Sequence, residues 1–146
     1  MKKISIIYEV VVLLFILMFL YAAFNKIFSF EVYKLQLDTQ PFDDKFTSLL
    51  AVAIPSAEIL VSLLLIIPKT KTLGLYLATF LMVVFTGYII LIKVNYFGMT
   101  PCGCGGVITH LTWTQHLWFN LFFLVGGISA IISRRKLMAD PRLAAN

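Results

Sequence analysis

Charge is the scarcest property of this chain: only 13% of its 146 residues are Asp, Glu, Lys or Arg, about half the quarter typical of soluble domains. With 60% of residues hydrophobic and a mean hydropathy of +0.94, it has too few polar side chains to face water on all sides. Disorder is excluded on the same ground, because disordered segments need low hydrophobicity and high charge. The formal net charge of +5 does not point to nucleic acid, since the basic residues lie between and outside the apolar runs, where they set topology. Cysteine is nearly absent, with two residues, so the chain has material for one bridge at most.

Four long apolar runs remain, each of the length needed to cross a bilayer core of about 30 Å. The first covers Ile4 to Phe28 and is too long for a secretory signal's apolar stretch, so it reads as a retained helix. The second covers Phe46 to Ile67 and stops at Pro68; the third, Leu73 to Ile92, follows the short basic turn Lys69-Thr70-Lys71-Thr72 and must run antiparallel to it. The fourth covers Thr112 to about Ser133, closed by Arg134, Arg135 and Lys136, and opens on Thr112-Trp113-Thr114-Gln115. A hydroxyl residue followed three positions later by Gln has the form of a capping box. The expected fold class is all-α: an integral membrane four-helix bundle, up-down-up-down, in a single domain spanning 1–146.

Lys2, Lys3, Lys69, Lys71, Arg134, Arg135, Lys136 and Arg142 fall on one side, and Lys34, Lys45 and Lys93 on the other. The bias places both termini in the cytoplasm. Tyr96, Trp113 and Trp118 then sit where an outer aromatic belt belongs. Ala53 with Ala57, and Gly126 with Ala130, offer places for close helix approach.

Both cysteines fall on the outer side, in Thr100-Pro101-Cys102-Gly103-Cys104-Gly105-Gly106, where disulfides persist. A bridge between Cys102 and Cys104 closes a very small ring. Strained, exposed disulfides are the exchangeable ones, and so short a loop gains little stability from being closed. Thiol–disulfide exchange is therefore the leading reading. The alternatives are a structural bridge and a metal site in which His110 or His116 joins the two thiolates, although the spacing fits no common zinc pattern. The plain readings of the histidines are a solvated loop residue for His110 and an interfacial side chain for His116.

Three charges lie inside the apolar runs: Glu9, Lys26 and Glu58. Glu9 and Lys26 are near helix ends, whereas Glu58 lies roughly 18 Å from the outer end of its run at 1.5 Å per residue. An ionisable group at that depth costs about 2.5–3.5 kcal/mol on insertion scales and is a functional candidate by default. Lys26 is nearer the surface by roughly 10 Å or more, so a direct pair requires tilt or side-chain reach. The alternative is a protonated Glu58 hydrogen-bonded to a neighbouring helix. Pro55, one turn before Glu58, withholds a donor from the Ala51 carbonyl; Asn25 and Asn120 are further candidates for an interior polar network.

Taken together, Phe-Asn-Lys-Ile closing the first run, Ile-Pro-Ser-Ala-Glu-Ile-Leu in the second, Pro-Cys-Gly-Cys-Gly-Gly after the third and Leu-Thr-Trp with Asn120 at the fourth resemble the MauE branch of the DoxX-like membrane proteins. The resemblance covers nearly the whole chain. It implies a multi-pass protein of the bacterial inner membrane, linked to maturation of methylamine dehydrogenase and to thiol redox. It further implies Cys102 and Cys104 as the exchanging pair, Lys26 and Glu58 as supporting intramembrane groups, and a periplasmic thioredoxin-like or dehydrogenase partner. Membrane disulfide generators of the DsbB and vitamin K epoxide reductase type use two cysteine pairs. With one pair, this chain needs a quinone or a partner's second pair to complete the relay. The readings from other classes are a non-enzymatic scaffold, a small transporter subunit, and metal delivery.

Overall fold

The computed structural model describes residues 2–98 and 112–139. It is all-helical over those residues: α1 (Lys2–Phe28), α2 (Phe30–Asp38), α3 (Asp44–Ile66), α4 (Lys71–Lys93) and α5 (Trp113–Ala139). Four of these are long and apolar enough to cross a membrane, within Ile6–Phe28, Asp44–Ile66, Lys71–Lys93 and Trp113–Lys136. They match the four runs in the sequence to within a few residues, apart from the last, which continues past Ser133. Neighbours in the chain are neighbours in space: α1 packs on α3, α3 on α4, α4 on α5 and α5 back on α1. The ring is thus an antiparallel up-down-up-down bundle. Large apolar side chains such as Leu13, Leu17, Leu49, Phe80 and Phe122 point outward, as they must when the surroundings are lipid rather than water.

The helix ends obey local chemistry. Thr112 and Gln115 form the expected capping box: the Gln115 Oε1 accepts from the Thr112 backbone N–H at 2.9 Å, and Thr112 Oγ1 accepts from the Gln115 N–H at 3.4 Å. Asp43 caps α3 by accepting from the Lys45 N–H at 3.0 Å. At the end of α4, Asn95 takes a positive φ of 55°. This lets Asn95 N–H reach Ile92 O and Tyr96 N–H reach Leu91 O, each at 3.0 Å, which is the Schellman closure.

The core is dry and aromatic through the half of the bundle nearer the start of α1. Phe15, Phe19, Leu65, Leu75 and Met82 are fully buried there, and the Phe15 ring meets Phe123 at 5.5 Å between centroids. Close approach is set by two glycines. A Cβ on Gly127 would sit 2.5 Å from Thr79 Oγ1, and one on Gly74 would sit 2.8 Å from the backbone nitrogen of Leu65. Of the small residues singled out from spacing, Ala130 is buried but Ala53 faces outward, and a Cβ on Gly126 would only touch Val11 at 3.8 Å. The register of α3 turns Pro55 and Glu58 inward, which rotates Ala53 out.

Because backbone cannot yield as a side-chain tip can, Gly74→Ala should push α4 off α3 and destabilise the protein by about 1–3 kcal/mol. Gly87, inside α4 with open space where a Cβ would go, is the control: Gly87→Ala should not destabilise the protein and should gain up to about 1 kcal/mol from helix propensity. Equal behaviour of the two variants would show that the α3–α4 contact does not limit stability.

The second helix, α2, is the feature that hydropathy does not announce. It leaves α1 after a single residue, Ser29, and folds back on the start of α3, burying Tyr33 and Leu37 against Ala51 and Leu50. Thr47 Oγ1 fastens it by donating to Asp38 Oδ1 at 2.9 Å. At 100° per residue, Val32 and Leu35 share another side of this helix, and both are exposed. Such a stripe beside a membrane span belongs in the lipid interface. A Leu35→Trp variant that also carries Trp113→Phe and Trp118→Phe, reconstituted in vesicles, should be quenched by lipids brominated high on their acyl chains; a tryptophan there that reports only water would refute the placement.

Candidate functional site

Lys26 and Glu58 meet. The ammonium Nζ donates to Glu58 Oε1 at 2.8 Å, and the Ala22 carbonyl of its own helix lies at 3.5 Å. The depth difference expected from counting along two flush helices disappears because the helices are not flush. Glu58 lies 14 residues into α3 whereas Lys26 is two residues from the end of α1, so their meeting sets the start of α3 beyond the end of α1, where Leu50 and Ala51 pack on α2 and Thr47 bonds Asp38. The lysine side chain covers the remaining distance.

Beside this pair on α2, and at a similar depth on α5, lie polar groups that are buried and unsatisfied. Exposure is 7% for Lys26, 1% for Glu58, 4% for Tyr33 and 5% for His116. Tyr33, on α2, has its ring centroid 5.9 Å from the Lys26 Nζ, within the range of a cation–π contact. Burial, followed by the neighbouring Glu58 charge, holds the Tyr33 phenol above its ordinary pKa, so it remains a neutral O–H donor throughout the physiological range. Tyr33 Oη, Glu58 Oε2 and both ring nitrogens of His116 have no hydrogen-bonding partner among the described residues. Buried polar atoms in that condition cost about 1–3 kcal/mol each.

His116 is therefore not the interfacial side chain expected from its sequence position. It lies one turn into α5 and faces inward, as does Asn120 one turn further on. From the Phe15–Phe123 contact, Lys26 lies about three turns further out on α1 and His116 about two turns further out on α5, so the two are within about one turn in depth. Trp113 stands edge-on to the His116 imidazole, with ring centroids 6.5 Å apart. Asn25 is half-buried on α1 beside Lys26.

Other buried hydroxyls need no outside partner. Ser62, Thr79 and Thr86 each donate to a carbonyl one turn back on their own helix, at 2.8, 2.8 and 2.6 Å. Gln40, buried after α2, accepts from the Tyr88 hydroxyl and donates to Gln36 O at 3.1 Å. Phe42 packs beside this pair, 5.7 Å from the Tyr88 ring and 6.2 Å from Phe97. Of the unpartnered buried atoms, Tyr33 Oη and Glu58 Oε2 lie with Lys26 and the two His116 nitrogens lie at a similar depth on α5, while a further one, Arg134 Nε, is at the opposite end of the bundle beside Tyr8. Sequence reasoning did not single out Tyr33; the i, i+4 spacing of Tyr33 and Leu37 in an otherwise polar connection is the signal that reveals it.

Cys102, Cys104 and His110 lie outside the described residues. The chain segment that carries them leaves α4 and enters α5 at the same end of the bundle as Lys26. Lys93 Nζ, at the end of α4, donates to Thr114 Oγ1, in the first turn of α5, at 2.8 Å, which ties those two ends together. No group of three or more potential metal-ligating side chains occurs among the described residues.

The family model described as methylamine utilisation protein MauE matches residues 4–133 of this chain. No curated protein and no solved structure matches it.

Proposed function

The chain belongs to the MauE family, and on that footing we propose that it is an inner-membrane component of thiol–disulfide exchange, with Cys102 and Cys104 as the exchanging pair on the periplasmic side. A thiolate of a thioredoxin-like or dehydrogenase partner attacks the Cys102–Cys104 disulfide. One S–S bond breaks as a mixed disulfide forms, and the partner's second thiol then displaces the chain's sulfur. The partner leaves with a disulfide and this chain is left with two thiols. Re-forming the bridge releases two electrons and two protons, and a quinone of the bilayer supplies the acceptor for both.

What supports this reading is the buried Lys26–Glu58 pair, with unsatisfied polar atoms beside it and at a similar depth, at the end of the bundle from which the cysteine segment departs and to which it returns. A structural scaffold has no need of such atoms, which only cost stability.

Trapping the thiols in membranes tests the proposal. Alkylation with a mass tag should find the pair partly oxidised in quinone-replete membranes and reduced when quinone is depleted. Cys102→Ser or Cys104→Ser should hold a partner in a reducible adduct. A pair that stays fully reduced in both conditions, with no adduct in either variant, would overturn the proposal. If the double serine variant retained both partners and function, the scaffold reading would take its place.

A further inference from the structure

We propose that Tyr33, His116, Glu58 and Lys26 form the binding site for a quinone headgroup, gripping the ring in both its oxidised and its reduced form. The inference rests on the exchange reading above for its purpose, but its geometry stands on the buried atoms alone.

Charge narrows the ligand first. Lys26 and Glu58 neutralise each other at 2.8 Å, and no further ion pair among the described residues lies near them. The other described pair, Lys71 with Glu9, is at the opposite end of the bundle. A charged ligand would bring an uncompensated charge into a low-dielectric interior, which is strongly unfavourable. The occupant is therefore neutral and, at this depth in a lipid-facing bundle, lipid-soluble.

Hydrogen-bond inventory narrows it further. Tyr33 offers an O–H, neutral His116 one N–H, and Lys26 one ammonium hydrogen beyond those directed at Glu58 Oε1 and the Ala22 carbonyl. These donors suit a flat molecule with carbonyl oxygens. Glu58 Oε2 and the second His116 nitrogen are acceptors, also without partners. A ligand that carries only acceptors in every state would leave those two unsatisfied throughout. A quinone answers both sets in turn: its two carbonyls accept from the donors, and after gaining two electrons and two protons its two hydroxyls donate to the acceptors. The balance is dithiol plus quinone giving disulfide plus quinol, with no other reactant. Tyr33 sits on α2, so this short helix contributes to the site.

Trp113, 6.5 Å from the His116 ring, is a built-in reporter. The chain has two tryptophans, so full-length protein carrying Trp118→Phe, purified in detergent, leaves Trp113 as the only indole. Titration with a ubiquinone bearing a single isoprenyl unit should quench its emission saturably. Tyr33→Phe removes one oxygen that bonds to no described residue, so the fold should persist while the dissociation constant rises about tenfold, the equivalent of one hydrogen bond of about 1.4 kcal/mol. His116→Leu should weaken binding by at least as much, and His116→Gln should recover most of it. In Glu58→Gln the amide oxygen must turn to Lys26, leaving an NH2 where Oε2 stood; binding of the reduced quinol should then suffer more than binding of the quinone.

The Cys102→Ser/Cys104→Ser variant should bind as tightly as the parent, which separates this site from the cysteine chemistry. If quenching rises linearly without saturation, or is unmoved by both Tyr33→Phe and His116→Leu, the site is not where we place it. Thiol trapping that succeeds alongside such a result would leave the exchange reading intact and remove only this inference.

Discussion

Glu58→Leu is expected to destabilise the protein by about 3–5 kcal/mol, the range for removing one partner of a buried ion pair. The loss arises less from the missing attraction than from what is left behind. Lys26 is buried, and its other neighbours are a carbonyl at 3.5 Å and the face of Tyr33. Neither replaces a carboxylate oxygen at 2.8 Å. The measurement is unfolding of the purified protein in mixed micelles, with membrane abundance as a second readout. The double variant Lys26→Met/Glu58→Leu should recover to within about 1 kcal/mol of the parent, because an apolar pair of similar volume pays no desolvation. It should nevertheless lose saturable quinone binding. The coupling energy from the resulting cycle isolates the pair. A double variant as unstable as the single one would mean that the two side chains do not act as a unit. The contrast between restored stability and lost binding distinguishes a functional pair from a structural one.

Much of this architecture is legible in the residues. Runs of apolar side chains long enough for a bilayer leave one economical answer, and Thr112 with Gln115 marks the start of the last helix because the capping chemistry is local. What eludes the sequence depends on contacts between elements. The α2 segment, Phe-Glu-Val-Tyr-Lys-Leu-Gln-Leu-Asp, is short and mixed in polarity, and in isolation a helix of that length is marginal. It persists by burying Tyr33 and Leu37 against α3. The same contact holds the start of α3 beyond the end of α1, at the register in which Glu58 meets Lys26, which no count of residues along separate helices can show. His116 is a similar case. A histidine four residues into a span reads as interfacial until α5 is seen packing against α1 and α4, which turns that face, with Asn120, inward. The residue types of the site are therefore written in the sequence, while their convergence is a property of the packing.

Orientation yields an all-or-none result. At the end of the bundle where α1 starts, Lys71 pairs with Glu9 at 3.0 Å. Arg134 lies over the Tyr8 ring at 5.7 Å, and Arg135 donates its Nε–H to Tyr76 Oη at 3.1 Å. The end where α1 stops carries only Lys34, Lys45 and Lys93 as basic residues outside the buried pair. The fold therefore gathers its basic side chains at one end, and the proposed exchange requires that end to be retained in the cytoplasm, with Cys102 and Cys104 outside. An inward-negative membrane potential adds about 2.3 kcal/mol per charge for each 100 mV against the reverse arrangement. After mild reduction of intact spheroplasts, a membrane-impermeant maleimide should modify Cys102 and Cys104 completely. In a cysteine-free background, Lys69→Cys, in the exposed turn between α3 and α4, should react only once the membrane is permeabilised. That substitution removes a single positive charge from the retained end, too few to reverse the bias. Labelling of the Lys69 position in intact cells, with protection of the native pair, would invert the assignment and leave the proposed exchange without access to an oxidising compartment.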